Sequence, residues 1–218
     1  MNILGLWLQW LPNLLEGLVT SCEVTLLCML IGVPLGLFFA IGTSATSSAL
    51  RRLTIVLVEL GRGAPALILL QFFYFGLPSV HITLSSFLSS VLALAWCTGA
   101  YTSEIIRAGL MSVPHGQREA AYAIGLEGAD TMRLIVLPQG LRVAMPPLLG
   151  FGLVMLQATS LCFTVALPEL VTRANQIGTA TFMYMPVLIL TALLYACICV
   201  PSTLLVSRLE RRLARHEA

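Results

Sequence analysis

The chain has 218 residues, 58% of them hydrophobic and only 10% charged, with a formal net charge of +2. That balance excludes a disordered chain and does not fit a soluble globular domain. All twelve basic residues are arginine, so a lysine-dependent P-loop and Schiff-base chemistry are both excluded, and any ATP hydrolysis that drives this protein belongs to another chain.

Charge gaps place the spans. No charged side chain occurs over Val24–Leu50, Gly63–Ser103, Val143–Pro168 or Ala174–Ser207, and a helical crossing needs about 20 apolar residues. Met1–Glu16 carries Trp7 and Trp10 but no basic residue, unlike a secretory leader, and is expected to lie at the membrane interface. The first span is expected over Gly17–Gly42, with Glu23 hydrogen-bonded near its outer end. A polar loop, Thr43–Ala49, leads to Arg51-Arg52.

The second span, about Ile55–Gly76, contains Gly61, Gly63 and Pro65 and is expected to be kinked or broken. Irregular backbone in a membrane must face protein or a wet cavity, so this segment is assigned to the interior of the assembly. Glu59 and Arg62 stand one helical turn apart and are expected to pair. A short loop, Leu77–Thr83, precedes a third span over Leu84–Leu110, near whose end Glu104 and Arg107 form a second pair at the same spacing. An ion pair anchoring the helix end accounts for that spacing as well as a role in transport does.

Between the third and fourth spans lies His115–Gln139, the densest polar stretch of the chain, with Arg118, Glu119, Glu127, Asp130 and Arg133. Gln117–Ile124 is rich in helix formers, with Ala121, Tyr122 and Ile124 as its apolar side, and Gly125 can close that helix in a left-handed conformation. A second helix over Ala129–Val136 is expected to stop before Pro138. Two short helices meeting at a glycine make an L-shaped knob, read as a docking surface for another protein. The fourth span, about Leu141–Leu167, is expected to kink at Pro146-Pro147 and carries Gln157, Thr159 and Ser160 in mid-span. An outside loop over Pro168–Met185, a fifth span over Pro186–Val206 and an arginine-rich tail over residues 207–218 complete the chain.

Ten arginines fall in the segments bearing Arg51-Arg52, residues 107–142 and the tail, whereas the opposite loops carry only Arg173. The positive-inside rule then puts the knob and the C-terminus in the cytoplasm and the N-terminus outside. The six cysteines all fall in apolar spans and are read as core residues, and the three scattered histidines make no metal site.

Glu119-Ala120-Ala121, three residues, Gly125, nine residues, Ile135, then Leu137-Pro138 resembles the EAA loop of ABC-transporter permease subunits, with a tail one residue shorter. Arg62-Gly63-Ala64-Pro65 and the run from Gly99 to Arg107 are similar to segments of the polar amino acid branch, with alanine in place of a threonine. Gln157-Ala158-Thr159-Ser160-Leu161 resembles that branch's Lys-x-Thr-Ser-Leu run, but glutamine and alanine replace a lysine and an aspartate. Glutamine at that place is similar to permeases of the glutamate and aspartate type.

The resemblance implies an all-α integral membrane protein of the MetI-like fold. It would be a single domain over 1–218 with about five spans and a cytoplasmic coupling loop at 115–137, in a bacterial inner membrane. It implies a transport subunit rather than an enzyme, without a cofactor, served by cytoplasmic ABC ATPases and an external amino-acid-binding protein. Gly116, Gln117, Arg118, Glu119, Ala120, Ala121 and Gly125 would transmit motion. Gln157, Thr159, Ser160, Glu59, Arg62, Gly63 and Pro65 would line the path. Loss of the charged pair favours a heterodimer, in which a second, non-identical permease supplies charged contacts. The rival reading is a secondary transporter without an ATPase, with Glu23, Glu59 and Glu104 carrying protons. The absence of a repeated half stands against it.

Overall fold

The computed structural model describes residues 3–214, and these are mostly helical, without a strand. Residues 1–2 and 215–218, the latter part of the arginine-rich tail, lie outside the described residues.

Helix α1 (Ile3–Gly42) runs unbroken for 40 residues, about 60 Å at 1.5 Å per residue, twice the roughly 30 Å hydrocarbon layer. No helix break separates Ile3–Glu16 from the residues that follow, so the division expected at Gly17 is not a helix boundary. Packing is the reason. Leu6, Trp10 and Leu14 are buried with Leu170, Ala174, Val187 and Leu190, and Trp7 Nε1 donates to the Pro186 carbonyl at 3.1 Å. Glu23, expected to be hydrogen-bonded, is exposed and makes no hydrogen bond to the described residues.

The second span is broken, as Gly61, Gly63 and Pro65 suggest: helix α2 (Ser48–Gly63) is followed by a segment over Ala66–Val80, beginning as helix α3 (Ala66–Gln71), that is bent from it by 104°. Proline disfavours helical backbone in the residue before it, and Ala64 and Pro65 are accordingly extended, with ψ 133° and 134°. A π-helical turn (Phe72–Gly76) and a 3₁₀ turn (Leu77–Val80) finish the hairpin back to helix α4 (Ser86–Met111).

Helix α4 is the axis of the bundle, in contact with α1, α2, α3 and helix α7 (Leu137–Ala158). Among the described residues, three helical segments are long and apolar enough to cross a membrane by composition: Ile3–Gly42, Gly128–Val165 and Tyr184–Arg211; the bent pair Ser48–Gly63 and Ala66–Val80 is a fourth candidate. Helix α4, with 26 residues, is also long enough but less apolar, because protein rather than lipid surrounds it. Its Ser90, Thr102 and Ser103 hydroxyls are buried and return to their own helix, each donating at 2.7 Å. Small residues let helices approach where no hydrophobic force draws them together in lipid. A Cβ on Gly32 would lie 2.5 Å from Thr98 Cβ on α4.

After helix α5 (His115–Ala123), the short α6 (Gly128–Asp130), a π-helical turn (Thr131–Val136), α7 and a 3₁₀ segment (Thr159–Val165) run on as one rod. The expected stop before Pro138 does not occur. The π turn widens the backbone just ahead of Pro138, which sits in the first turn of α7, where a missing N–H leaves little unsatisfied. Pro146 and Pro147 lie inside α7, not near the start of a span, and the helix continues through them.

The expected outside loop over Pro168–Met185 is mostly helix α8 (Leu170–Thr181). Its cap is the buried Glu169: Oε2 accepts from the Val171 N–H at 2.8 Å, and Oε1 from the Thr172 N–H and hydroxyl at 2.7 and 2.9 Å. Glutamate is not a favoured cap residue, so the pattern gave no notice of it. Phe182, at φ 58°, turns the chain into helix α9 (Tyr184–Ala214). Cys28, Cys97, Cys162 and Cys199 are buried, but Cys22 and Cys197 are exposed, against the core reading of all six.

Gly32→Leu drives a branched side chain into α4 and should destabilise the solubilised protein by at least about 1–3 kcal/mol. A lower unfolding temperature in detergent checks this.

Candidate functional site

Helix α5 follows Pro114, whose fixed φ suits a helix entry. At its far end the Gly125 N–H bonds to the Tyr122 carbonyl and the Leu126 N–H to the Ala121 carbonyl, both at 3.0 Å. That pair of bonds is a Schellman closure, which needs a left-handed residue, and Gly125 provides it at φ 84°. Ala121 is buried against the bundle, whereas Gly116, Gln117, Glu119 and Ala120 are exposed. Arg118 Nη2 donates to the Leu110 carbonyl at 3.0 Å, tying α5 to the end of α4. His115 Nδ1 lies 3.1 Å from Glu119 Oε1.

Tyr122 and Ile124, assigned to the apolar side of this helix, are instead 55% and 77% exposed. The knob thus presents an aromatic and an aliphatic side chain on a segment otherwise polar.

A second arrangement joins α2 and α4. The two pairs expected separately, Glu59–Arg62 and Glu104–Arg107, are one chain: Arg62 Nη1 lies 4.0 Å from Glu59 and 3.3 Å from Glu104, whose other oxygen takes the Arg107 Nε at 3.1 Å. The Arg62–Glu104 contact, across helices, is shorter than the Glu59–Arg62 contact expected within one. Tyr101 was not singled out. Its hydroxyl donates at 3.3 Å to the Arg62 carbonyl, one of the groups that the break at Pro65 leaves without a helical partner. Its ring stacks on Phe151 of α7, centroids 5.6 Å apart. The Gly99-Ala100-Tyr101 run was the available signal.

The extended Ala64-Pro65 break adjoins a core that α7 also enters. Ala64 and Ala66 pack into the same core as Phe151, Ala158 and Leu161, and α3 lies against the 3₁₀ segment Thr159–Val165. Two interruptions of regular helix therefore adjoin, an arrangement that serves ions and polar solutes elsewhere in membranes. Of the mid-span residues, Gln157 is exposed and Ser160 half-buried, its hydroxyl donating to the Gln157 carbonyl at 2.7 Å. Thr159 is wholly buried and donates to the Leu156 carbonyl at 2.6 Å. The break leaves Gly63 and Pro65 exposed, with open space where a Cβ on Gly63 would stand. No group of three or more metal-ligating side chains occurs among the described residues.

Residues 32–215 match the family model of the binding-protein-dependent transport system inner membrane component. The chain is 34% identical over 205 residues to the probable amino-acid ABC transporter permease YckA of Bacillus subtilis, covering 94% of this chain and 91% of that one. It is 35% identical to the L-cystine permease TcyB of the same organism, over 95% and 89% of the two chains. To the glutamate/aspartate import permease GltK of Escherichia coli it is 32% identical, over 94% and 95%. A crystal structure of an amino acid ABC transporter with histidines superposes with a TM-score of 0.91 at 31% identity, over 97% of this chain and 99% of that one. The inward-facing MetNI methionine transporter shares the fold, with a TM-score of 0.69.

The chain belongs to the binding-protein-dependent transport system inner membrane family, the permease subunits of ABC importers. It is a multi-pass, all-α inner-membrane protein of the MetI-like fold, and a transport component rather than an enzyme. The family brings ATPase and substrate-binding protein partners with it, so a secondary transporter is not favoured.

Exposed ion pairs are each worth about 0.2–1 kcal/mol, and Arg62 and Glu104 are about a third exposed. A double-mutant cycle with Arg62→Gln and Glu104→Gln should give a coupling energy of about 0.5–1 kcal/mol in unfolding measurements. Additive single effects would show that the cross-helix contact is idle.

Proposed function

We propose that this subunit forms one half of the path for a polar amino acid and is driven through α5 by an ATPase seated on the knob. The observation that carries the reading is the exposed Tyr122 and Ile124 on a rigidly closed helix beside the ends of the spans. Apolar side chains held out on a polar, ordered element mark a surface built for a partner. Gly116, Gln117, Glu119 and Ala120 complete that surface, while Ala121 and Arg118 pass its movement to α4. The arginine distribution supports a cytoplasmic knob and C-terminus and an external N-terminus.

The path runs past the α2–α3 break. Glu59 is exposed on a membrane helix, and an ionised group there faces protein or water rather than lipid. A second permease set against α2 meets that requirement, and five spans enclose a solute poorly alone. Gln157 and Ser160 are the contacts offered to solute, with Arg62, Gly63 and Pro65 at the adjoining break. The hydroxyl of Thr159 points back into its own helix and shapes the notch between them.

The cargo reading rests on the relatives, whose names include cystine and glutamate or aspartate permeases. Gln157, a neutral donor and acceptor, favours the glutamate and aspartate type. The missing lysine–aspartate pair favours a non-identical partner that supplies charge.

Gly125→Val forces a β-branched residue into left-handed backbone. Uptake should fall by at least tenfold while membrane insertion persists; undiminished uptake of labelled amino acid would refute the coupling role. Gln157→Leu should raise the uptake KM several-fold or shift the order of competing amino acids, and an unchanged competition profile would remove Gln157 from the path.

A further inference from the structure

A cavity of about 590 Å³ lies where α1 ends, α2 begins, α4 ends and α5 is tied on. Its size is within the range of small-molecule sites. The walls are mainly apolar, with Phe38, Ile41, Leu50 and Met132 among them, and the charged groups lining it are Arg107 and Arg118. No carboxylate lines it. Its floor is formed by the last turns of two membrane helices, so the opening stands at headgroup level, whichever face of the membrane it occupies.

The charge around it is one-sided. Arg118 pairs with no carboxylate among the described residues; one N–H goes to the Leu110 carbonyl, and a guanidinium has five N–H donors. Arg107 shares Glu104 with Arg62. At the rim, Arg51 Nη1 donates to the carbonyl of Ala45, a lining residue, at 3.2 Å, and neither Arg51 nor Arg52 makes an ion pair among the described residues. Phe38 and Ile41 stay 58% and 49% exposed beside these cations.

We propose that this cavity is a site for an anionic phospholipid, with the headgroup phosphate held by Arg118 and Arg51, whose guanidiniums have no carboxylate partner among the described residues, and an acyl chain along Phe38, Ile41 and Leu50. An apolar wall adjoining unpaired guanidiniums matches an amphiphile of negative charge, as basic pockets between membrane helices do. A protein segment would have to bring both a greasy stripe and an anion to the same place; the surrounding lipid brings both already. The site needs only the membrane location. Its consequence rests on the docking reading above: by joining α2 and α4 to Arg118 of α5, the lipid would set the knob's angle and raise the rate at which ATP hydrolysis is coupled to uptake.

The test uses the assembled importer in nanodiscs holding phosphatidylethanolamine and phosphatidylglycerol in equal amounts, read by native mass spectrometry. Phosphatidylglycerol should be retained over phosphatidylethanolamine by roughly fivefold, the factor of one arginine–anion contact. Ala45→Trp, which fills the cavity from the loop, should remove that preference and Arg51→Gln should reduce it, while the complex stays intact. Equal retention of the two lipids, a preference undisturbed by Ala45→Trp, or displacement by millimolar inorganic phosphate would each overturn the lipid site. So would loss of the ATPase from the Ala45→Trp complex, which would make the cavity a protein interface. ATPase activity should be several-fold higher with phosphatidylglycerol than in phosphatidylcholine alone, and Ala45→Trp should abolish the difference. A wild-type complex that keeps its lipid preference but holds no ATPase would sink the docking reading and leave the lipid site standing.

Discussion

Backbone N–H and carbonyl groups inside a membrane have no water to turn to, and the architecture of this protein follows from where each interruption of a helix finds its partners. Pro65 releases carbonyls at the end of α2; Tyr101 returns a hydroxyl to one of them. Pro138 withholds a donor, and a π turn ahead of it absorbs the change without ending the rod. The α8 N-terminus, buried beside α1, takes its acceptor from Glu169. Each repair comes from elsewhere in the fold or from local backbone reshaping.

That constraint also explains the character of α4. A helix enclosed by protein gains little from large apolar side chains and much from close approach, so serine, threonine, glycine and alanine predominate on its buried faces. The outer helices keep Leu, Ile and Phe exposed. Against this sheath the charged chain from Glu59 to Arg107 and the neighbouring breaks form the polar seam of the subunit. The α5 knob is tied to the end of α4, the helix that bears Glu104, by the Arg118–Leu110 hydrogen bond.

The first helix of the knob was legible residue by residue, but not the second, which runs on into α7 instead of ending before Pro138. The alanines of the first, its glycine and its spacing from Ile135 specify a short helix and a left-handed closure by local rules alone, and Gly125 at φ 84° fulfils them. The apolar side of that helix was not legible in the same way. Periodicity ranks Ala121, Tyr122 and Ile124 together, but only Ala121 meets a neighbour, because the neighbouring spans cover one end of the helix face and leave the other open. The interruption at Pro65 was visible from its type and position, whereas the 104° turn and the meeting of α3 with Thr159–Val165 depend on contacts far apart in sequence.

By itself the sequence determined that this is a lipid-embedded helical protein, which ends of the spans carry the arginines, and where one polar helix and one proline break occur. These follow from composition, charge gaps and local backbone rules, which act within a few residues. The tertiary structure alone decided that α1 runs unbroken to Ile3, that a helix capped by Glu169 replaces a loop, and that two separate ion pairs join through Arg62 and Glu104. Those outcomes depend on which distant surfaces meet, and a buried carboxylate or an overlong helix is stable only once its neighbours are in place.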